Sequence, residues 1–298
     1  MPAALELVCD GDARTDVSET RARRERKEEH PGHRPIMMER VELAVEQRGS
    51  GPRRLLLLHG LGASRDHLYE VADALDGRFG SILPDLRGHG DSPAGPVESI
   101  ADYVEDLRPL VRAAAPVAIC GLSFGGDLAR LLWNAESDSV TDVVTVDPLL
   151  DVDALWRWAW TRAETRKEAY QQLISPYLEH DFDRLVALMA DYPLTADLDE
   201  VARGRNARSH LRSDATTIHS TLRALGEPDP LPDRPAGSGA HATIVRAALS
   251  PACPPSLANE LAERLDATVV RLDCGHCASL SAPELLAEAI EDAFATGT

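Results

Sequence analysis

The chain has 298 residues, 44% of them hydrophobic and 27% charged, and carries a formal net charge of −18. That length suits one large α/β domain with room for an inserted subdomain, and the balance of residues is that of an ordinary globular protein. So acidic a chain repels nucleic-acid phosphates and anionic lipid, which argues against both as partners.

No run reaches the roughly 18 apolar residues that a membrane-spanning helix needs. The opening stretch lacks a basic leader followed by an apolar core, so it does not read as a secretory signal. Five cysteines make an odd set with no disulfide framework, and a reducing cytoplasm is the expected location.

Residues 1–37 are polar and without period, and "RARRERKEEH" has no apolar stripe to bury. This segment is expected to be a disordered charged tail. Translation starting at Met37 or Met38 is an alternative, because the folded pattern begins directly after them. "VELAVEQ" then alternates as an outer strand does. "RRLLLLHG" is a short apolar run ending in glycine, as a buried parallel strand is. A helix over "DHLYEVADAL", a strand at "SILPD" and an amphipathic helix over "SIADYVEDLRPLVRAAA" follow. Next come a strand at "PVAICGLS", a helix over "FGGDLARLLWNAE" and a strand at "VTDVVTVDP". Strands alternating with helices predict a mostly parallel sheet covered on both faces.

Beyond Leu149 the alternation stops. "ALWRWAWTRAETRKEAYQQLI", "DFDRLVALMADY" and "TIHSTLRAL" read as helices, and "GEPDPLPDRPAGSGA" as a Pro/Gly-rich hinge. Strands at "HATIVRAAL" and "ATVVRLD" and helices over "SLANELAERL" and "APELLAEAIEDAF" complete the pattern. The expected organisation is an α/β core over 38–149 and 238–298 and a helical cap over 150–237, inserted after the sixth strand.

The chemistry centres on "GLSFG", a G-x-S-x-G placed after a strand and before a helix. Ser123 there is the candidate nucleophile. Gly121 and Gly125 present no Cβ at a sharp turn, and the following helix aims its first amides at the serine. An acyl-transfer intermediate needs two amide donors for its oxyanion. The Phe124 amide is one, and the Leu61 amide, in "LLLLHGLGAS" after His59 and Gly60, is the other. His59 ends a strand directly and reads as a structural histidine.

Taken together, "HGLGAS", "PDLRGHGDS", "GLSFGG" and "CGHCASLSAPELLAEAI" resemble the α/β-hydrolase superfamily, in the order that family shows them, from about residue 38 to the end. The resemblance implies that "PDLRGHGDS" is a structural loop, so Asp85, Arg87 and His89 are poor candidates for catalysis. It implies that the general base is His276, in the loop before the last helix. It also exposes a departure. Many relatives carry an acid after the seventh strand, where this chain has Ser250, and Arg246–Pro255 contains no Asp or Glu. Other relatives take the acid from the end of the sixth strand, which makes Asp147 the candidate. A Ser–His dyad, or a cap acid such as Asp151, stays open beside it. Asp273 reads as a loop-bonding residue.

Cys274 and Cys277 bracket His276 as C-x-x-C. A redox pair or half a metal site is conceivable, but no second pair of suitable spacing exists, so neither metal nor cofactor is expected. Trp156 and Trp160 lie four apart and share a helix face, to pack the cap or to line an acyl pocket. The resulting expectation is a capped serine hydrolase acting on a small or medium carboxylic ester or lactone, with a homodimer left open. Other readings are a C–C bond hydrolase, a thioesterase or a tailoring enzyme on the same scaffold, or a non-catalytic binding protein.

Overall fold

The computed structural model describes residues 40–149, 179–225, 234–235 and 237–295, with isolated positions between 168 and 176. The proposed tail over 1–37, Asp151, Trp156 and Trp160 lie outside the described residues.

Seven strands form one sheet: β1 (Val45–Arg48), β2 (Arg53–Leu58), β3 (Phe79–Pro84), β4 (Val117–Leu122), β5 (Val140–Val146), β6 (His241–Ala247) and β7 (Thr268–Leu272). Their order is β1-β3-β2-β4-β5-β6-β7. Only β1 runs antiparallel, pairing Val45 with Pro84, while every other pair is parallel. "VELAVEQ" contributes its second half alone to β1.

The continuous apolar runs are buried because helices cover both faces. Leu56, Leu58 and Ile119 point to one face, against Tyr103 and Leu107 of α2 (Ala101–Ala114), Leu128, Leu132 and Trp133 of α3 (Phe124–Ala135), and Leu261 of α7 (Pro255–Leu265). Leu55, Leu57, Ala118 and Cys120 point to the other, against Val71 of α1 (Tyr69–Ala74) and Leu286, Ile290 and Phe294 of α9 (Pro283–Ala295). This alternation is the two-residue period of a strand, and both phases are apolar because neither face meets water.

Between β5 and β6 lie α4 (Phe182–Asp191), α5 (Glu200–His210) and α6 (Ala215–Leu225). Five described strands precede these helices, so the expected sixth is one too many here; that count followed the larger family pattern. Helix α5 lay outside the expected helices. Its buried residues are Ala202, Gly204, Asn206, Ala207 and Ser209, which give no apolar stripe to detect. Its start is set instead by the Asp199 side chain, which accepts from the Ala202 amide at 2.8 Å.

The "PDLRGHGDS" side chains hold the loops below the site. Arg87 donates to both oxygens of buried Asp106, at 2.7 and 2.9 Å. Asp85 accepts from the amides of Arg65 and Asp91, each at 2.8 Å. His89 accepts from the Gly62 amide at 3.0 Å. All three are structural, as the resemblance implied.

Candidate active site

A parallel sheet delivers the ends of its strands to one edge, and the candidate residues gather there. β2 runs into His59, β4 into Ser123 and β5 into Asp147, and the loop after β7 carries His276.

Ser123 takes φ 52° and ψ −122°, a left-handed conformation that non-glycine residues avoid. It is held there from both sides. Its amide donates to the Val146 carbonyl at 2.8 Å, and its carbonyl accepts from the Gly126 amide at 2.8 Å. The turn leaves no room beside it. A Cβ on Gly121 would sit 2.0 Å from the Gly125 carbonyl oxygen, and one on Gly125 would sit 2.5 Å from the Leu58 carbonyl oxygen. Real Cβ atoms do not approach backbone so closely, so both positions require glycine.

His276 joins serine and carboxylate. Its Nε2 lies 2.9 Å from Ser123 Oγ and its Nδ1 lies 2.7 Å from Asp147 Oδ2. An ionised carboxylate only accepts, so Nδ1 carries the proton and Nε2 accepts from the serine hydroxyl. Asp147 is wholly buried, and its Oδ1 accepts from the Ala247 amide at 3.1 Å. Its own backbone is left-handed (φ 43°) and pinned by a 2.7 Å bond from its amide to the Val245 carbonyl. The His276 loop is tied down through Leu249, whose amide donates to the Cys274 carbonyl at 3.1 Å. Such an arrangement can draw the hydroxyl proton onto the imidazole and stabilise the imidazolium that results.

The other carboxylates and thiols fall elsewhere. The Ser250 hydroxyl accepts from the Ala252 amide at 3.1 Å, a turn bond within its own loop. Asp273 faces solvent and pairs with Arg271 at 2.5 Å, so it bonds a strand neighbour rather than the loop. Cys274 and Cys277 are free thiols. Burial pushes Cys274 up to about 11 and Cys277 up to about 12, far from thiolate reactivity at neutral pH. Among the described residues no group of three His, Cys, Asp or Glu side chains is disposed to hold a metal ion. None of the described helices is long and apolar enough to cross a membrane.

The Leu61 and Phe124 backbones flank the serine: the first follows Gly60, whose Cα side lies against Ser123, and the second opens α3. Neither amide donates to another described residue. His59 is a loop tie. Its Nδ1 donates to the Gly60 carbonyl at 2.8 Å and its Nε2 accepts from the Leu86 amide at 3.0 Å. Burial drives its pKa down to about 4, so it stays neutral.

A cavity of about 190 Å³ opens from the serine. By a water's share of about 30 Å³, that is room for roughly six small heavy groups. Leu122, Phe124, Leu149, Leu185, Met189 and Ile218 make an apolar wall. His67, Asn206 and His210 also line it, and sequence reading missed all three. They come from segments far apart in the chain, and the helix that supplies two of them has no apolar period. The Asp199 cap was the one local signal for it.

The model of the alpha/beta hydrolase family matches residues 55–289. The chain belongs to that family. Among its relatives, the lipase LipV of Mycobacterium tuberculosis is 29% identical over 84% of this chain and 97% of its own length. The pimeloyl-[acyl-carrier protein] methyl ester esterase of Chromobacterium violaceum is 33% identical over 55% of this chain, a match that spans 64% of that esterase. Among solved structures, the enol-lactonase of Burkholderia xenovorans superposes with a TM-score of 0.65 at 20% identity, over 86% of this chain and 97% of that one. At that identity the likeness speaks for the fold alone. The chain is thus a hydrolase of the alpha/beta family with esterase- and lipase-like relatives.

Proposed function

We propose that this hydrolase cleaves a small or medium carboxylic ester or lactone through a serine acyl-enzyme. Ser123 attacks the carbonyl carbon. His276 takes the hydroxyl proton and passes it to the leaving alkoxide. His276 then deprotonates the water that releases the acid. Asp147 orients the imidazole and balances its charge. The Leu61 and Phe124 amides stabilise the oxyanion of each tetrahedral intermediate. The observation that carries this reading is the continuous hydrogen-bonded chain Ser123–His276–Asp147 at 2.9 and 2.7 Å.

Two further features support it. Eight leucines line the cavity beside Ser123, more than any other residue type, which suits an acyl chain. Helices α4, α5 and α6 supply Leu185, Asn206 and Ile218 to that wall, so we assign the segment 150–237 the role of a cap that shapes the substrate and excludes water. Free thiols in the described residues and the charge of −18 are compatible with a cytoplasmic enzyme, which is the location we propose.

The reading as a C–C bond hydrolase or a thioesterase drew its weight from the missing acid at Ser250. A carboxylate 2.7 Å from the His276 ring weighs instead toward the ester or lactone reading. A panel of p-nitrophenyl esters, lactones, acyl thioesters and vinylogous diketones tests the choice. Oxygen esters or lactones should give the highest kcat/KM. A thioester or diketone turned over a hundredfold faster would replace the proposal.

A further inference from the structure

Polar side chains interrupt the apolar wall of the cavity, and one of them is unsatisfied. His67 sits on the 3₁₀ turn Arg65–Leu68, just after the Leu61 loop, and is only 6% exposed. Its Nε2 is buried and has no hydrogen-bond partner. A buried imidazole nitrogen left unpaired is costly, and a leucine would fill the site at less cost. The turn is nonetheless built to hold it. The His67 amide donates to the Ser64 carbonyl at 3.1 Å, and Ser64 Oγ is 2.5 Å from Ser209 Oγ of α5.

A second under-used polar group stands on the same side. Asn206 is 2% exposed, and its amide nitrogen reaches only the Met189 sulfur, a weak acceptor at 3.5 Å. His210, one helical turn beyond Asn206, donates from Nδ1 to the Asn206 carbonyl at 2.9 Å and lies within electrostatic reach of His67. The charge of the site is also set. Burial pushes His67 down to about 3 and His210 down to about 4, so both rings are neutral. Among the described residues that line the cavity there is no Lys or Arg.

We propose that His67 and Asn206 form a hydrogen-bonding subsite in the lining of the acyl pocket, which selects acyl chains carrying an uncharged hydroxyl group. This rests on the ester-hydrolase reading above. A hydroxyl both donates and accepts, so it satisfies the His67 nitrogen in either tautomer and accepts a hydrogen bond from the Asn206 amide. A carboxylate finds no cation among the described lining residues and loses its hydration, so it is disfavoured.

The test compares p-nitrophenyl esters of straight-chain acids of four to six carbons with their ω-hydroxy and ω-carboxy counterparts. In the wild-type protein at least one hydroxyacyl ester should match or exceed the kcat/KM of its alkyl partner, and every carboxylate should fall at least tenfold below. His67→Leu should lower the hydroxyl-to-alkyl ratio of kcat/KM about tenfold, whatever it does to the alkyl ester alone, while fluorophosphonate still labels Ser123. His67→Gln should restore much of the ratio. A wild-type enzyme that disfavours every hydroxyacyl ester tenfold or more overturns the proposal without any variant. So does a ratio that His67→Leu leaves within twofold. Should no ester be turned over, Kd values of the Ser123→Ala protein for ethyl hexanoate and ethyl 6-hydroxyhexanoate decide the subsite separately from the chemistry: a hydroxy ester bound tenfold more weakly refutes it, and one bound equally or better sustains it.

Discussion

Replacing Asp147 by Asn keeps the side-chain shape and removes its charge, and the two bonds to its oxygens show why the loss must be large. Oδ2 accepts from His276 Nδ1 at 2.7 Å and Oδ1 accepts from the Ala247 amide at 3.1 Å. Asparagine has one oxygen for two donors. If that oxygen keeps His276, its amide nitrogen faces the Ala247 N–H, donor against donor inside a wholly buried site. If it keeps Ala247, the amide nitrogen donates to His276 Nδ1 and forces the proton to Nε2. That nitrogen then points an N–H at Ser123 Oγ, 2.9 Å away, and cannot act as a base. Either orientation also removes the anion that balances the imidazolium. In the serine-protease case of the same geometry, this substitution lowers kcat about 10⁴-fold, and a loss of about 10³–10⁴-fold is expected here. Initial rates on a p-nitrophenyl ester measure it, with circular dichroism and urea unfolding as controls for the fold. A well-folded variant that loses less than about tenfold refutes the assignment of Asp147.

The buried histidines predict how stability responds to acid. His59 and His89 both accept an amide proton at Nε2, and burial lowers their pKa values to about 4 and about 3. Unfolded, each titrates near 6.5, so between 6.5 and 4 the unfolded chain binds the extra protons and stability falls as pH falls. Two such groups cost about 4 kcal/mol between pH 7 and 5, read as a shift of the urea midpoint; a flat profile contradicts it. Arg87→Leu strands the Asp106 carboxylate, buried with its partner, and should destabilise by about 3–5 kcal/mol in the same assay. Gly125→Ala drives a Cβ to 2.5 Å from the Leu58 carbonyl oxygen, and the turn must move. A stability loss on the order of 3 kcal/mol and loss of fluorophosphonate labelling are expected; a thermally unchanged, fully labelled protein would count against the close packing of that turn.

The parts of this molecule legible in the sequence are those fixed by local rules. "LLLLHG" and "AICGLS" announce buried parallel strands because both strand faces meet apolar helices, and G-x-S-x-G marks a turn where two glycines must let backbone approach backbone. Asp147 was legible by position, at the end of a strand whose edge also carries Ser123. The observation that favours Asp147 over the rival readings is a contact between residues 129 positions apart, which no period encodes. Helix α5 stayed hidden because its buried side is alanine, glycine, asparagine and serine, so packing against small polar groups left no hydrophobic signal. The polar end of the pocket was hidden with it. His67 has no meaning until Ser64, at the head of its turn, meets Ser209 of α5.

The central claim is that Ser123 becomes covalently acylated during turnover. Intact-mass spectrometry on protein quenched within milliseconds of mixing with a p-nitrophenyl ester tests it directly. The account predicts a burst of one equivalent of p-nitrophenol, an adduct of the acyl mass mapped to Ser123, and no adduct and no burst in Ser123→Ala. Steady hydrolysis by Ser123→Ala at the wild-type rate, or an adduct on another residue, would contradict it.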